Sequence, residues 1–156
     1  MTPAITDIES EYLVLPTNTS DRPDLDTAEE LAVRSLLLGI VHRSLAAYAP
    51  ARAFLLDAQK RSAGGDVSSW VGGISCYELA VLDLKEAEAK APDMEEEEAL
   101  EMWVDVLIAA TEQLDRASAL CTKQMDMSSR LDSRIVMLRD EISDKAELLG
   151  FDDDDE

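Results

Sequence analysis

The chain has 156 residues, of which 34 are acidic and 14 basic, so its formal net charge at neutral pH is −20. This charge argues against nucleic-acid-binding and anionic-membrane-binding proteins, because those surfaces are bound through Lys and Arg that displace counterions. The length suits one domain, and 46% of the residues are hydrophobic although only 4% are aromatic. Such a core must consist of Leu, Val, Ile, Ala and Met, a set that favours helices. The composition therefore predicts an all-α fold.

The cysteines and the apolar segments predict an intracellular chain without a membrane span. Cys76 and Cys121 are too few for a disulfide framework and are expected to be small buried residues. No apolar run reaches the ~20 residues that a membrane helix requires. The first residues have neither the basic nor the apolar part of a signal peptide.

Residues 1–26 are expected to form an extended or disordered N-terminal segment. Pro3, Pro16 and Pro23 interrupt it, and the residues between the last two are rich in turn formers. The apolar patch Tyr12–Leu15 is the exception, and it could dock on another surface.

Two helices are predicted after this segment. Thr27-Ala-Glu-Glu has the spacing of a capping box, so the first helix is predicted over 31–47. Pro50 suits the opening turn of a second helix, because its missing N–H needs no partner there. This helix should end near Arg61, before the pair Gly64-Gly65.

Three further helices follow. The third is predicted to start at Ser68 or Ser69 and to continue to Lys90, and the fourth to run from its capping residue Asp93 to about residue 121. The fifth should begin at Asp126 or Ser128 and stop at Gly150, since glycine is common beyond a helix C-terminus. Residues 27–149 would thus form one helical domain, and residues 150–156 an acidic disordered tail with little apolar surface to bury.

The first helix differs from the others because its apolar residues surround the helix axis. A helix of this kind is normally buried on more than one side. The second and third helices could cover two sides. We expect the remaining side to be covered by upstream repeats of a longer parent chain or by self-association.

Two segments share a pattern of small and large residues that is typical of tetratricopeptide-type helical hairpins. A Leu-Gly pair allows two helices to approach closely, a Tyr fills the hairpin near its turn, and a small-x3-large-x2-small pattern follows. The first unit has Leu38, Gly39, Tyr48, Ala51, Leu55 and Ala58 at these positions. The second has Tyr77, Leu79, Ala80, Ala110, Leu114 and Ala117, with residues 85–102 as an apparent insertion. An ordinary helical bundle with Ala at its helix crossings is the alternative.

Three segments, 77–84, 110–117 and 127–135, resemble the closing region of the tetratricopeptide repeat protein 39 family, whose fungal branch comprises inclusion-body-clearance proteins. The segment 36–45 resembles the hairpin that precedes this region, and the whole resemblance spans about 28–145. The resemblance implies a non-catalytic scaffold that binds other proteins and uses no cofactor. It also implies a cytoplasmic, nuclear or mitochondrial outer-membrane location and a link to inclusion-body clearance and lipid droplets.

Candidate chemistry is sparse. His42 is the only histidine and has no second ligand at metal-binding spacing, so packing within the hairpin is the preferred interpretation. The run Glu95–Glu98 is expected to stabilise a helix N-terminus and not to bind a metal, because it lacks the alternating loop of an oxygen-ligand site. Neither catalytic nor metal-ligating residues are predicted.

Partner contacts can be predicted only in outline. Some tetratricopeptide modules hold a partner's terminal carboxylate with Lys and Asn, but the corresponding residues here are the apolar Leu36 and Ile40. Arg34 and Arg43 remain as possible polar contacts to a partner. The alternative function is a free-standing acidic helical bundle that binds basic partners.

Overall fold

The computed structural model describes residues 27–121 and 125–151, with side chains up to Leu120 and from Arg130 onward. Within these ranges the chain is all-α, as predicted, and contains no strand. The helices are α1 Ala28–Ser44, α2 Tyr48–Ser62, α3 Ser69–Lys90, α4 Glu96–Cys121 and α5 Met125–Leu149, with a 3-10 turn at Ala91–Asp93. The predicted extended segment 1–26, residues 152–156 and the side chain of Cys121 lie outside the described residues.

Local sequence sets most helix ends. The Glu30 backbone N–H donates to Thr27 Oγ1 over 3.1 Å and the Thr27 N–H to Glu30 Oε1 over 3.4 Å, which confirms the capping box. Consequently α1 begins at Ala28, earlier than predicted, and it ends at Ser44 before the left-handed Ala46, whose φ is 62°. Pro50 lies in the first turn of α2, as predicted.

The predicted cap of the fourth helix is wrong. Asp93 belongs to the 3-10 turn, which closes through a bond from the Met94 N–H to the Ala91 carbonyl. Helix α4 begins only at Glu96, and the Ala99 N–H donates to the carbonyl of Glu95 over 2.8 Å. Three glutamates occupy the first turn of α4, where the helix dipole favours negative charge.

Consecutive helices are antiparallel. Ser35 on α1 donates to Asp57 on α2, and further along α1 the His42 ring packs against Phe54, which lies earlier on α2. The His42–Phe54 centroid distance is 5.3 Å, which agrees with the predicted packing role of His42.

Alternate helices are parallel and lie side by side. The Ser68 N–H, just before α3, donates to Glu29 Oε1 on α1 over 2.9 Å, and Arg43 Nε on α1 donates to Glu78 Oε1 on α3 over 2.8 Å. In the same way α5 packs on α3. Within the described residues, α1 makes no extensive contact with α4 or α5. The helices therefore follow one another in single file, as in an α-solenoid, and do not close into a bundle.

The small-residue positions lie where the hairpins close. A Cβ on Gly39 would be 2.6 Å from Leu55 Cγ, so the two helices can approach only because this residue is glycine. Leu38 is instead half-buried on another side of α1, and Tyr48 is half-buried against the first core cluster. Tyr77 is half-buried against the second core cluster. The other eight predicted positions are fully or almost fully buried: Ala51, Leu55, Ala58, Leu79, Ala80, Ala110, Leu114 and Ala117.

The predicted insertion 85–102 lengthens the second hairpin. It is absorbed as extra turns of α3 and α4 on either side of the 3-10 turn, so these helices have 22 and 26 residues, against 17 and 15 for α1 and α2. At this longer end a separate core cluster forms around Ala87, Trp103 and Leu107, and α5 packs against it.

Phe151 is not part of the tail to which the sequence assigned it. Gly150 adopts a left-handed φ of 86°, its N–H donates to the Glu147 carbonyl, and the Phe151 N–H donates to the Ala146 carbonyl over 2.8 Å. These two bonds form a Schellman motif, which turns the Phe151 ring back onto the cluster around Trp103.

We expect Phe151→Ala to lower the free energy of unfolding by about 1–2 kcal/mol, less than the ~3–5 kcal/mol of a fully buried Phe. Urea denaturation followed by circular dichroism measures the change. As a control, a chain that ends at Phe151 loses only the acidic residues 152–156 and should unfold at an unchanged or slightly higher urea concentration. Equal destabilisation of both variants would contradict a packing role for the ring.

Candidate functional site

A surface groove of about 360 Å³ lies between α3 and α5, with the Trp103 ring of α4 among its lining residues. We call it the α3–α5 groove. Because α3 and α5 are parallel neighbours, their facing side chains line this groove. The lining residues are Tyr77, Val81, Leu84, Lys85, Glu88, Trp103, Leu138, Glu141, Asp144, Lys145 and Leu148.

The inner part of the groove is aromatic and aliphatic. Trp103 is buried, Tyr77 and Leu84 are half-buried, and all three belong to or pack against the core clusters. Lys145 Nζ lies 4.2 Å from the centroid of the Trp103 ring, which is a cation–π distance. A rigid apolar floor with a few polar groups above it is the usual composition of a binding site.

The rim of the groove is mainly acidic. Glu88, Glu141 and Asp144 line it, against Lys85 and Lys145, and the amine of Lys145 is already placed over Trp103. A neighbouring surface depression is lined by Asp144, Glu147 and Leu148. On a chain of net charge −20, this rim favours cationic ligands.

Tyr77 carries the one hydroxyl among the described groove residues. Burial raises the pKa of this hydroxyl, and the nearby carboxylates of Glu78 and Glu141 raise it further, although Arg134 and Arg43 oppose them. Tyr77 is therefore a neutral hydrogen-bonding group at physiological pH, not an ionisable one.

The predicted partner contacts have different positions. Arg43 forms an ion pair with the buried Glu78 and links α1 to α3, so it serves the fold. Arg34 is exposed on α1, far along the stack from the groove. Of the predicted repeat positions, only Tyr77 lines the groove.

Most groove residues could not be identified from the sequence, because they come from three helices that meet only after folding. One signal was visible. The apolar face of α5 consists of Leu131, Ile135, Leu138 and Ile142. Leu148 is apolar but does not continue the spacing of this face, and it is 79% exposed in the structure. Met137 is 67% exposed on the same helix, yet it does not line the groove, so this signal alone does not locate a site.

Outside the groove, Arg52 holds two carboxylates whose pKa values are shifted. Its Nη1 donates a hydrogen bond to Asp83 over 2.7 Å and its Nη2 donates one to Glu86, and these bonds join α2 to α3. Burial raises the pKa of Asp83. Burial also acts to raise the pKa of Glu86, but the hydrogen bond and charge of Arg52 outweigh it and hold that pKa below its usual value. Two neighbouring carboxylates whose pKa values are shifted in opposite directions can act as an acid–base pair. Here, however, Arg52 holds both carboxylates in a structural ion pair, and neither carboxylate lines the groove.

Cys76 also has a structural environment. It is buried, accepts a hydrogen bond from Gln59 Nε2 at 3.1 Å, and its pKa is raised by burial. A raised pKa leaves the thiol protonated, which is the unreactive form.

Among the described residues, no three His, Cys, Asp or Glu side chains are grouped so that they could hold a metal ion. No helix within 27–121 and 125–151 combines the length and the apolar character that a membrane crossing requires. No protein-family model, curated protein or solved structure matches the chain.

Proposed function

We propose that the protein is a non-catalytic, tetratricopeptide-like scaffold whose α3–α5 groove binds a basic segment of a partner protein through one apolar side chain. The observation that carries this proposal is the combination of the Trp103 floor with the acidic rim of Glu88, Glu141 and Asp144. The wider kinship with the tetratricopeptide repeat protein 39 family, and the locations that it implies, stay predictions.

The two parts of the groove have different roles in this proposal. An apolar side chain that displaces water from the half-buried Leu84 and the exposed Leu148, above the buried Trp103, supplies binding energy, as anchor residues do at the centre of protein interfaces. Lys or Arg residues beside the anchor meet the acidic rim, and the net charge of −20 accelerates their approach. Affinity should therefore depend on both features of the partner, and the association rate should fall as salt is added.

Short fluorescent peptides test this proposal by anisotropy. The first peptide has one Leu among Lys and Ser residues; the second replaces Lys with Glu; the third replaces Leu with Ser. Of the three peptides, we expect only the first to bind measurably, and we expect its binding to weaken at higher salt. Equal binding of the Glu peptide, or no binding of the Lys–Leu peptide, would contradict the proposal.

A pair of variants then locates the binding. Leu148→Lys places a positive charge in the groove, whereas Met137→Lys places the same charge on the same helix outside it. We expect Leu148→Lys to weaken binding by about tenfold or more and Met137→Lys to leave it nearly unchanged. Equal losses in the two variants would show a general charge effect and no role for the groove.

A further inference from the structure

The side of α1 that faces away from α2 is apolar and exposed. We call it the α1 outer face; its exposed residues are Leu37, Val41 and Leu45, and the half-buried Val33 and Leu38 flank them. Leu37 is 55% exposed, Val41 50% and Leu45 70%. At its N-terminal half this face contains a surface depression of about 440 Å³, which the charged residues Glu29, Glu30 and Arg34 also line.

The neighbouring helices leave only a narrow strip of α1 uncovered. Ala32, Leu36 and Gly39 are buried against α2 and the first core cluster. Leu37 and Val41 are each two residues from Gly39, a rotation of about 200° around the helix, so they point away from α2. The sequence suggested that a whole helix was missing here. The exposed strip is smaller than that, because α2 and α3 cover most of the apolar residues of α1.

We propose that the α1 outer face is covered by this chain's own N-terminal segment, through the apolar patch Tyr12–Leu15. These residues lie outside the described part of the chain, and they form the longest apolar run within 1–26. The segment joins the domain at Thr27, one residue before α1 and at the same end as the depression. The patch is thus tethered beside the surface that it would cover.

The length of the patch Tyr12–Leu15 matches the length of the α1 outer face. Val33 and Val41 are about 12 Å apart along the helix axis, from the rise of 1.5 Å per residue. At full extension the four residues of the patch span about 13 Å. Residues 16–26 connect the patch to Thr27, and at ~3.3 Å per residue they reach about 36 Å, well beyond the distance required. Pro16 and Pro23 in this connection restrict its conformations.

A second copy of the chain is less suited than the tethered patch to cover the α1 outer face. Each copy carries a net charge of −20, so two copies repel one another, and self-association must overcome that repulsion. The tethered patch has no such barrier, because a tether as short as residues 16–26 holds it at a high effective concentration. The tethered patch can therefore cover the strip with a weaker attraction than a second copy of the chain would need.

Disulfide trapping in the full chain tests this proposal. In a Cys121→Ser background, Leu13→Cys is combined with Leu37→Cys on the α1 outer face or with Ile108→Cys on α4. Leu37 and Ile108 are matched in exposure, at 55% and 56%, and Cys76 remains buried. Non-reducing gels and mass spectrometry follow the rate at which each disulfide forms in dilute solution under mild oxidation.

We expect the Leu13→Cys/Leu37→Cys pair to form a monomeric, intramolecular disulfide at least about tenfold faster than the control pair, as its tethering implies. Equal rates for the two pairs would overturn the proposal. So would a product that is mainly a disulfide-linked dimer, since it would place a second copy on this face. A separate variant with Tyr12, Leu13 and Leu15 all replaced by Ser should bind several-fold more of an apolar dye, and unchanged dye binding would also contradict the proposal.

Discussion

Gly39→Val is expected to lower the free energy of unfolding by about 3 kcal/mol, at the upper end of what overpacking costs. A Cβ at this position would lie 2.6 Å from both Cγ and Cδ2 of Leu55 and 3.2 Å from the Leu55 backbone N. Leu55 is fully buried and cannot move aside without displacing the α1–α2 hairpin. The urea midpoint should fall while the slope of the transition stays constant, because the native state remains equally compact.

Gly73→Ala is the matched control on α3. Its Cβ would lie 3.2 Å from the Cδ2 end of Leu131, and at an ordinary contact distance of 3.8 Å from both the Ala117 carbonyl oxygen and Leu120 Cβ. The flexible end of a Leu side chain can shift slightly, and Ala is a better helix former than Gly by about 1 kcal/mol. Gly73→Ala should therefore be neutral or stabilising. If Gly39→Val were equally harmless, the close approach of α1 and α2 at Gly39 would be contradicted.

Arg43→Ala should cost about 3 kcal/mol, because it leaves the Glu78 carboxylate buried without its partner. The two side chains are 22% and 7% exposed and are joined by a bond of 2.8 Å between α1 and α3. Thermal unfolding is a suitable measurement, and on a chain of this size the loss corresponds to a Tm decrease of about 6–12 °C.

Two further variants separate the burial of Glu78 from a general loss of charge. Replacing both partners, as in Arg43→Met/Glu78→Leu, removes the unpaired carboxylate and should restore most of the lost stability. Arg139→Ala breaks the exposed pair of Arg139 with Asp115, whose side chains are 38% and 65% exposed, and should cost well under 1 kcal/mol. A double variant as unstable as Arg43→Ala would show that Arg43 acts by some other contact.

The number of helices, several of their ends and the buried small residues could be predicted from the sequence alone. These features depend on residues close together in the chain: the capping box at Thr27, Pro50 in an opening turn, Gly150 beyond α5, and the periodic small residues such as Ala51 and Ala110. Where a local signal was ambiguous, prediction failed. Asp93 has a capping side chain, but the preceding Pro92 closes a 3-10 turn there and α4 starts later.

Only the tertiary structure decided which surfaces are available for binding. The α3–α5 groove joins Tyr77, Trp103 and Leu148, which are dozens of residues apart and meet because α5 packs beside α3. The packing of α1 beside α3 likewise pairs Arg43 with Glu78. At the other end of the stack, Phe151 packs against the core cluster around Trp103. Helical periodicity specifies which side of a helix is apolar, but it does not specify which neighbour covers that side. That choice depends on how several helices fill space together, and it fixes both the groove and the uncovered strip of α1.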